Sequence, residues 1–208
     1  MTTHTIRIYS DYKSPYAYLA KDPVYALERE TGAALEWLPY TLDIPAYLGS
    51  ATLDPAGKVL EQNRNAHQWR RVKYSYMDCR REASRRGVVV RGPRKIFDSS
   101  RANIGMLYAK HCGVFRAYHD RVFERFWKRE LDIENTDALA AVIEECGADT
   151  KDFVAFLVGE GRRELETIQR EAEAAGVFGV PSYLFDDGDL YWGREHLPRI
   201  RERLVSDR

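Results

Sequence analysis

The sequence predicts an α/β domain in which a β–α–β opening and a β–β–α ending enclose a long helical stretch. Three observations lead there. Thr5 to Tyr9 alternates apolar and polar residues ahead of a helical pattern, Ala56 to Glu173 keeps helical spacing almost throughout, and Asp186-Asp187-Gly188 joins two short strand-like runs near the end. At 208 residues the chain is long enough for one well-buried domain, with or without a large insertion, and short for two full domains.

Taken in order, Ile6 and Ile8 fall on one face of the first strand, which ends near Asp11. Ser14 and Pro15 start a helix, because a serine side chain accepts from the free first-turn amides and proline loses no hydrogen bond there. Tyr16, Leu19, Ala20, Val24 and Leu27 continue the helix, Pro23 bends it, and Thr31-Gly32 stops it before a second strand around Leu35 to Thr41. Such a unit makes a parallel pair with a right-handed crossover. The helical stretch breaks at Gly87 to Ser99, around Gly113, at Glu134 to Asp137 and at Gly147 to Asp149. Ser182 to Phe185 and Asp189 to Trp192 form a terminal hairpin, and Leu197, Ile200 and Leu204 make one stripe of a last helix. This order is that of a thioredoxin-like fold split by a large all-helical insertion domain. The approximate boundaries are 1–55 with 174–208 for the thioredoxin-like domain and 56–173 for the insertion.

The composition is that of an ordinary globular protein, with 44% hydrophobic residues and 32 Lys+Arg against 32 Asp+Glu. No nucleic-acid or membrane partner is expected from that balance. Arg70, Arg71, Lys73, Arg80, Arg81, Arg85 and Arg86 form a local excess, read as a solvated helix face interrupted by Asp78 and Glu82. The N-terminus lacks a basic segment followed by an apolar run, and no stretch approaches the ~20 apolar residues that span a bilayer, so a cytoplasmic location is expected. Cys79, Cys112 and Cys146 are far apart and the histidines are scattered, which predicts neither a disulfide framework nor a metal site.

The chemistry concentrates in two segments that this topology brings together. In D-Y-K-S-P-Y the Ser14 hydroxyl stands at the amino end of the first helix, among unpaired N–H groups and the positive end of the helix dipole. One reading of Ser14 is a helix cap. The other is a donor that stabilises a thiolate, by the physics that activates cysteines at helix starts. In G-V-F-G-V-P-S-Y, Val180-Pro181 directly precedes the hairpin. An X-Pro bond is usually trans, which would make Pro181 the start of an edge strand. In a thioredoxin-like fold a cis proline here faces the active-site helix and leaves the Val180 backbone free to pair with an extended peptide. Lys13, beside Ser14, either steers an acidic substrate or faces water.

Four segments together carry a resemblance over nearly the whole chain: D-Y-K-S-P-Y-A-Y-L-A, Y-S-Y-M-D-C-R-R with Tyr74, Asp78 and Arg81, S-S-R-A-N-I-G, and V-F-G-V-P-S-Y followed by L-Y-W-G-R-E-H-L. They resemble the kappa-class glutathione transferases and the bacterial 2-hydroxychromene-2-carboxylate isomerases of the DsbA-like group. The resemblance implies glutathione as cofactor, Ser14 as the catalytic residue at its sulfur, Val180 and Pro181 against its cysteinyl portion, and Gly193-Arg194-Glu195 at its γ-glutamyl end. Glu195 stands where relatives carry aspartate and is expected to meet the ligand ammonium, whereas Arg194 replaces a small polar residue. Arg71 replaces an expected lysine and keeps the charge for a carboxylate. The Asn and Pro-Pro pattern expected near Gly49 is replaced by Gly-Ser-Ala-Thr-Leu-Asp-Pro.

The implied reaction is reversible addition of the thiolate to an aromatic-derived small molecule, with glutathione not consumed. Lys13, Tyr16, Tyr74 and Trp192 are the expected substrate-binding residues, and Tyr12, Trp69 and Tyr76 are either further wall or core. The resemblance also implies a homodimer. A kappa-type transferase or peroxidase would differ only in the fate of the sulfur. A dithiol oxidoreductase needs two cysteines where this chain has Ser14 and Ala17, and a non-catalytic DsbA-like binding protein is the reading that the Arg71 and Arg194 changes favour.

Overall fold

A computed structural model describes residues 5–206. Strands β1 (Thr5–Ser10) and β2 (Ala34–Pro39) are joined by helix α1 (Pro15–Thr31) and pair in parallel, with Ile6 opposite Leu35 and Ile8 opposite Trp37. Local chemistry sets this crossover. Ser14 Oγ accepts from the Ala17 N–H at 3.2 Å, Pro15 opens the first turn, and Gly32 at φ 64° releases the chain in a conformation that a side chain would strain. Pro23 lies inside α1, which continues past it as one element. Strands β5 (Ser182–Phe185) and β6 (Leu190–Trp192) complete a mixed sheet in the order β2-β1-β5-β6, with β5 antiparallel to both of its neighbours. A short 3₁₀ turn (Arg194–His196) leads into α9 (Leu197–Ser206), which packs against α1 and buries Ile200 and Leu204. This is the thioredoxin-like sheet expected from the sequence.

Between β2 and β5 run α2 (Ile44–Leu48), β3 (Ala51–Leu53), β4 (Val59–Gln62), α3 (Ala66–Arg86), α4 (Ser100–His111), α5 (Phe115–Lys128), α6 (Thr136–Glu145), α7 (Phe153–Val158) and α8 (Glu160–Ala174). The stretch read as helical from Ala56 therefore begins in a hairpin. Turn chemistry wins there over helical spacing: the Asp54 carboxylate accepts from the Lys58 N–H at 2.9 Å and Gly57 stands at φ 86°. Helix starts only after Asn65, whose side chain and that of Gln68 form a capping box. A further break falls at Gly159, between α7 and α8. Among the described residues no helix is long and apolar enough to cross a membrane.

One continuous apolar core joins the sheet, through Ile6, Ile8 and Tyr183, to the helices, through Ile104, Tyr118, Phe123 and Trp127. Helix α4 lies at its centre, touching β2, α5, α6, α7 and α8, and is buried on nearly every side. Such a helix needs a small residue where a neighbour comes close. At Gly105 a Cβ would stand 2.8 Å from Cζ of Tyr118, whose hydroxyl donates to the Ala102 carbonyl at 3.0 Å. Gly105→Ala is expected to lower stability by about 1–2 kcal/mol, the overpacking cost outweighing the helix-propensity gain. A urea midpoint at or above that of the parent protein would show that the contact is not tight.

Candidate active site

A cleft of about 1180 Å³ opens between the amino end of α1, the loop before β5, the inner face of α3, the β3–β4 hairpin and residues 92–97. Asp11 positions its floor. Its buried carboxylate accepts from the Leu42 N–H at 2.8 Å and the Lys13 N–H at 3.4 Å, and lies 3.7 Å from Lys13 Nζ. The Asp11 carbonyl accepts from the Ser14 N–H at 3.0 Å. Ser14 lines the cleft at 4% exposure, and the cap reading of it holds: its side chain caps α1. Having accepted from Ala17, Ser14 Oγ still has its proton to donate, and among the described residues no group accepts it.

The Val180-Pro181 peptide is cis. The loop is held on both sides of Val180: Ser182 Oγ donates to the Gly179 carbonyl at 2.7 Å, and the Gly193 N–H donates to the Pro181 carbonyl at 2.9 Å. Val180 itself, 5% exposed, has neither its N–H nor its carbonyl bonded to any described residue. Buried backbone groups are almost always paired, so this pair is open to an outside partner. Val180, Pro181 and Ser14 line the same cleft.

Lys13, Tyr16, Arg71, Trp192, Arg194 and Glu195 also line it. Burial pushes the Tyr16 hydroxyl up to about 12, with Asp78 and Cys79 raising it further and Ser75 lowering it, so Tyr16 is a neutral donor at ordinary pH. The Trp192 indole lies against Gly179, where a Cβ would meet Nε1 at 2.7 Å, and its ring is 5.0 Å from that of Phe178. The Glu195 carboxylate folds over Gly193. Arg194 turns toward α3, 3.3 Å from Glu82 Oε1 and 3.7 Å from Asp78 Oδ2, so its charge is already engaged.

One expected residue is elsewhere, and Tyr12, read as wall or core, is core. Tyr74, expected to bind substrate, is 57% exposed and outside the cleft. Tyr76 faces the cleft, and two positions along a helix turn a side chain by roughly 200°, which sends Tyr74 to the opposite side. Tyr12 lies beneath the loop, its hydroxyl 3.0 Å from Nδ1 of the buried His119. The charge run read as a solvated face is divided: Arg71, Lys73 and Arg80 line the cleft, whereas Arg81, Arg85 and Arg86 pair with Asp78 or Glu82 on their own helix. Sequence reasoning missed Tyr47, Arg64, Phe97, Arg129 and Phe178, which all line the cleft. Phe178 lies inside the V-F-G-V-P motif, while the others carry no local signal. All three cysteines are free, none lines the cleft, and burial pushes the Cys79 thiol up to about 12, so the protein offers no thiolate of its own there.

A thioredoxin-like sheet, a capping serine at the start of α1 and a cis proline facing it define a class. The chain belongs to the DSBA-like thioredoxin domain family, whose family model matches residues 5–205. Over 208 aligned residues it is 28% identical to a 2-hydroxychromene-2-carboxylate isomerase of Sphingobium xenophagum, covering 98% of this chain and 100% of that one. A solved 2-hydroxychromene-2-carboxylate isomerase superposes with a TM-score of 0.74 at 23% identity, covering 97% of this chain and 95% of that chain. The cytosolic disulfide reductase DsbM of Pseudomonas aeruginosa, solved with GSH, shares the fold with a TM-score of 0.62 at 16% identity, covering 98% of each chain.

The α3 carboxylate that holds Arg194 gives a pH-dependent prediction. Glu82 titrates at about 2, below its ordinary 4.5; Arg85 is the largest cause, burial opposes it, and Arg86 and Arg194 add to it. A depressed folded value stabilises the folded state above 4.5, and that contribution fades as pH falls toward about 2. The stability difference between the parent protein and Glu82→Gln, measured by denaturant unfolding, should therefore be constant near neutrality and shrink through that acid window. A difference that does not change with pH would remove Glu82 as the ionised anchor of Arg194.

Proposed function

We propose that this protein is a glutathione-dependent isomerase of the 2-hydroxychromene-2-carboxylate type, cytoplasmic and homodimeric, in which Ser14 activates the glutathione thiol. One observation carries the reading: an unspent Ser14 O–H and an unpaired Val180 backbone share a cleft at the positive end of α1. An extended peptide containing a cysteine satisfies both, its backbone adding to Val180 like a strand and its sulfur meeting the hydroxyl. Arg71, which has no carboxylate partner among the described residues, is placed for a ligand carboxylate, and Glu195 for the ligand ammonium. Arg194 serves as a strut that ties the Glu195 segment to α3. The isomerase relative and the fold shared with a GSH-bound reductase support the same reading.

Bound glutathione would supply the nucleophilic thiolate that adds to the substrate and leaves again. The protein's own groups orient and polarise. The Ser14 O–H and the first-turn amides of α1 hold negative charge at one point. Tyr16 stays protonated and donates, the Lys13 ammonium lies 3.7 Å from the Asp11 carboxylate at the cleft floor, and Trp192 with Phe178 forms an apolar rim. In this reading the thioredoxin-like part, 1–55 with 174–208, holds the thiol and lends the apolar rim, and the insertion, 56–173, supplies Arg71 and the remaining wall of the cleft.

Ser14→Ala should still bind glutathione by calorimetry, but the thiol of the bound ligand, followed by thiolate ultraviolet absorbance, should ionise at a midpoint higher by about 1, the equivalent of one lost charge-assisted hydrogen bond. An unchanged midpoint sinks the role given to Ser14. Glutathione recovered intact after many turnovers marks an isomerase, and its loss into a conjugate marks a transferase instead.

A further inference from the structure

The cleft holds more positive charge than a thiol site uses. Arg64, Arg80 and Arg129 line it, and among the described residues none of them pairs with a carboxylate. They gather around one aromatic ring. The Arg80 guanidinium lies 5.8 Å from the centroid of Tyr76, and that ring packs on Gly92, where a Cβ would stand 3.1 Å from Cε1. Arg129 donates through Nε to the Gly92 carbonyl at 2.9 Å. Arg64 stacks 5.0 Å over Trp69 and gives its Nε to the Leu48 carbonyl at 3.0 Å. Each guanidinium keeps further N–H groups in hand.

Two features show that this grouping costs the fold something. Arg129 caps α5 at φ 63°, the one non-glycine residue with a positive φ among those described, at a position where glycine is favoured. Its guanidinium pKa is lowered, first by burial and then by the neighbouring Arg94, Arg91 and Arg80. Like charges gathered on an apolar wall are offset when an anion sits among them. Space is available, because about 1180 Å³ exceeds the roughly 300–1,000 Å³ of a typical single-ligand site.

We infer that Arg64, Arg80, Arg129 and Tyr76 form a second subsite for a planar aromatic substrate carrying two negative charges, as two carboxylates or as one phosphate, with the ring on Tyr76 and the charges between the guanidiniums. The inference rests on the proposed thiol site, in which Arg71 takes the glutathione carboxylate and leaves these three for the second ligand.

The test uses the intact protein without glutathione and four probes: naphthalene-2-methanol, naphthalene-2-carboxylate, naphthalene-2,6-dicarboxylate and 2-naphthyl phosphate. Binding is followed by calorimetry at two salt concentrations. The dicarboxylate or the phosphate should bind about tenfold or more tighter than the neutral probe and weaken as salt rises, and the tighter of the two identifies the anionic group. Arg80→Ala, on an exposed position of α3, should lose about tenfold of that preference, as should Arg129→Asn, chosen because asparagine tolerates the left-handed region. Equal affinity for all four probes, or unchanged preference in a folded Arg80→Ala protein, overturns the subsite. A parallel glutathione titration separates the two claims: charge-selective probe binding without glutathione binding removes the thiol reading and leaves the subsite standing, and the converse removes the subsite alone.

Discussion

The Asp11 carboxylate is buried where β1 hands the chain to α1, and the geometry of the cleft depends on it. It accepts from the Leu42 N–H at 2.8 Å and so ties the segment after β2 to the segment after β1, while the Tyr40 N–H reaches the Ser10 carbonyl at 2.8 Å beside it. It also partners Lys13, which is 6% exposed; a buried ammonium left without a partner would cost about 3–5 kcal/mol. Ser14 hangs from the Asp11 carbonyl by its own N–H. The opposite wall follows from the sheet: β1 is a central strand, and Tyr9 lies opposite Ser182. The residues just beyond that pair, Asp11 to Ser14 on one strand and Val180-Pro181 on the other, are brought to the same end of the sheet. Serine and cis proline meet because β1 has β2 on one side and β5 on the other.

Overall charge balance conceals a division along α3. Toward its carboxyl end, Asp78 and Glu82 hold Arg81, Arg85, Arg86 and Arg194 in one network. Arg71 and Lys73 nearer its amino end, and Arg80 from between those two carboxylates, face the cleft and pair with no carboxylate among the described residues. The division explains how Arg194 can stand beside Glu195 without adding free charge there, since two α3 carboxylates neutralise it. It also makes the other end of the cleft the place where an incoming anion is drawn, because low-dielectric walls strengthen an unscreened field.

The elements legible in the sequence were those whose ends are written in local chemistry. Ser14-Pro15 and Thr31-Gly32 bracket α1, and Asp186-Asp187-Gly188 turns β5 into β6, where the Phe185 N–H meets the Asp189 carbonyl at 3.0 Å. The β3–β4 hairpin had its own signal in Asp54-Pro55-Ala56-Gly57, masked by helical spacing on the C-terminal side. The separation of Tyr74 from Tyr76 follows from helix geometry alone, yet knowing which of the two faces inward needs the loop at 92–97 in place. The distal arginines could not be read as a group. Arg64 precedes α3, Arg80 lies within it and Arg129 follows α5, so only tertiary packing assembles them around Tyr76.

A serine at the start of α1 keeps what the fold requires of that position and gives up what redox chemistry requires. The cap needs a lone pair directed at the Ala17 N–H, and an oxygen provides it. A cysteine there would be both nucleophile and leaving group, and with a second thiol nearby it would exchange disulfides. Here the second position is Ala17, and Cys79, the cysteine nearest to Tyr16, is kept as a thiol by burial. The hydroxyl can therefore neither attack through sulfur nor be oxidised, and it retains one proton to give. In the proposed reading the sulfur arrives with the ligand: the helix dipole, which in a cysteine protein acts on the protein's own thiol, would act together with the Ser14 hydroxyl on a guest. The unpaired Val180 backbone would be the other half of that proposed arrangement, because a guest thiol, unlike a resident one, has to be held in place before it can be polarised.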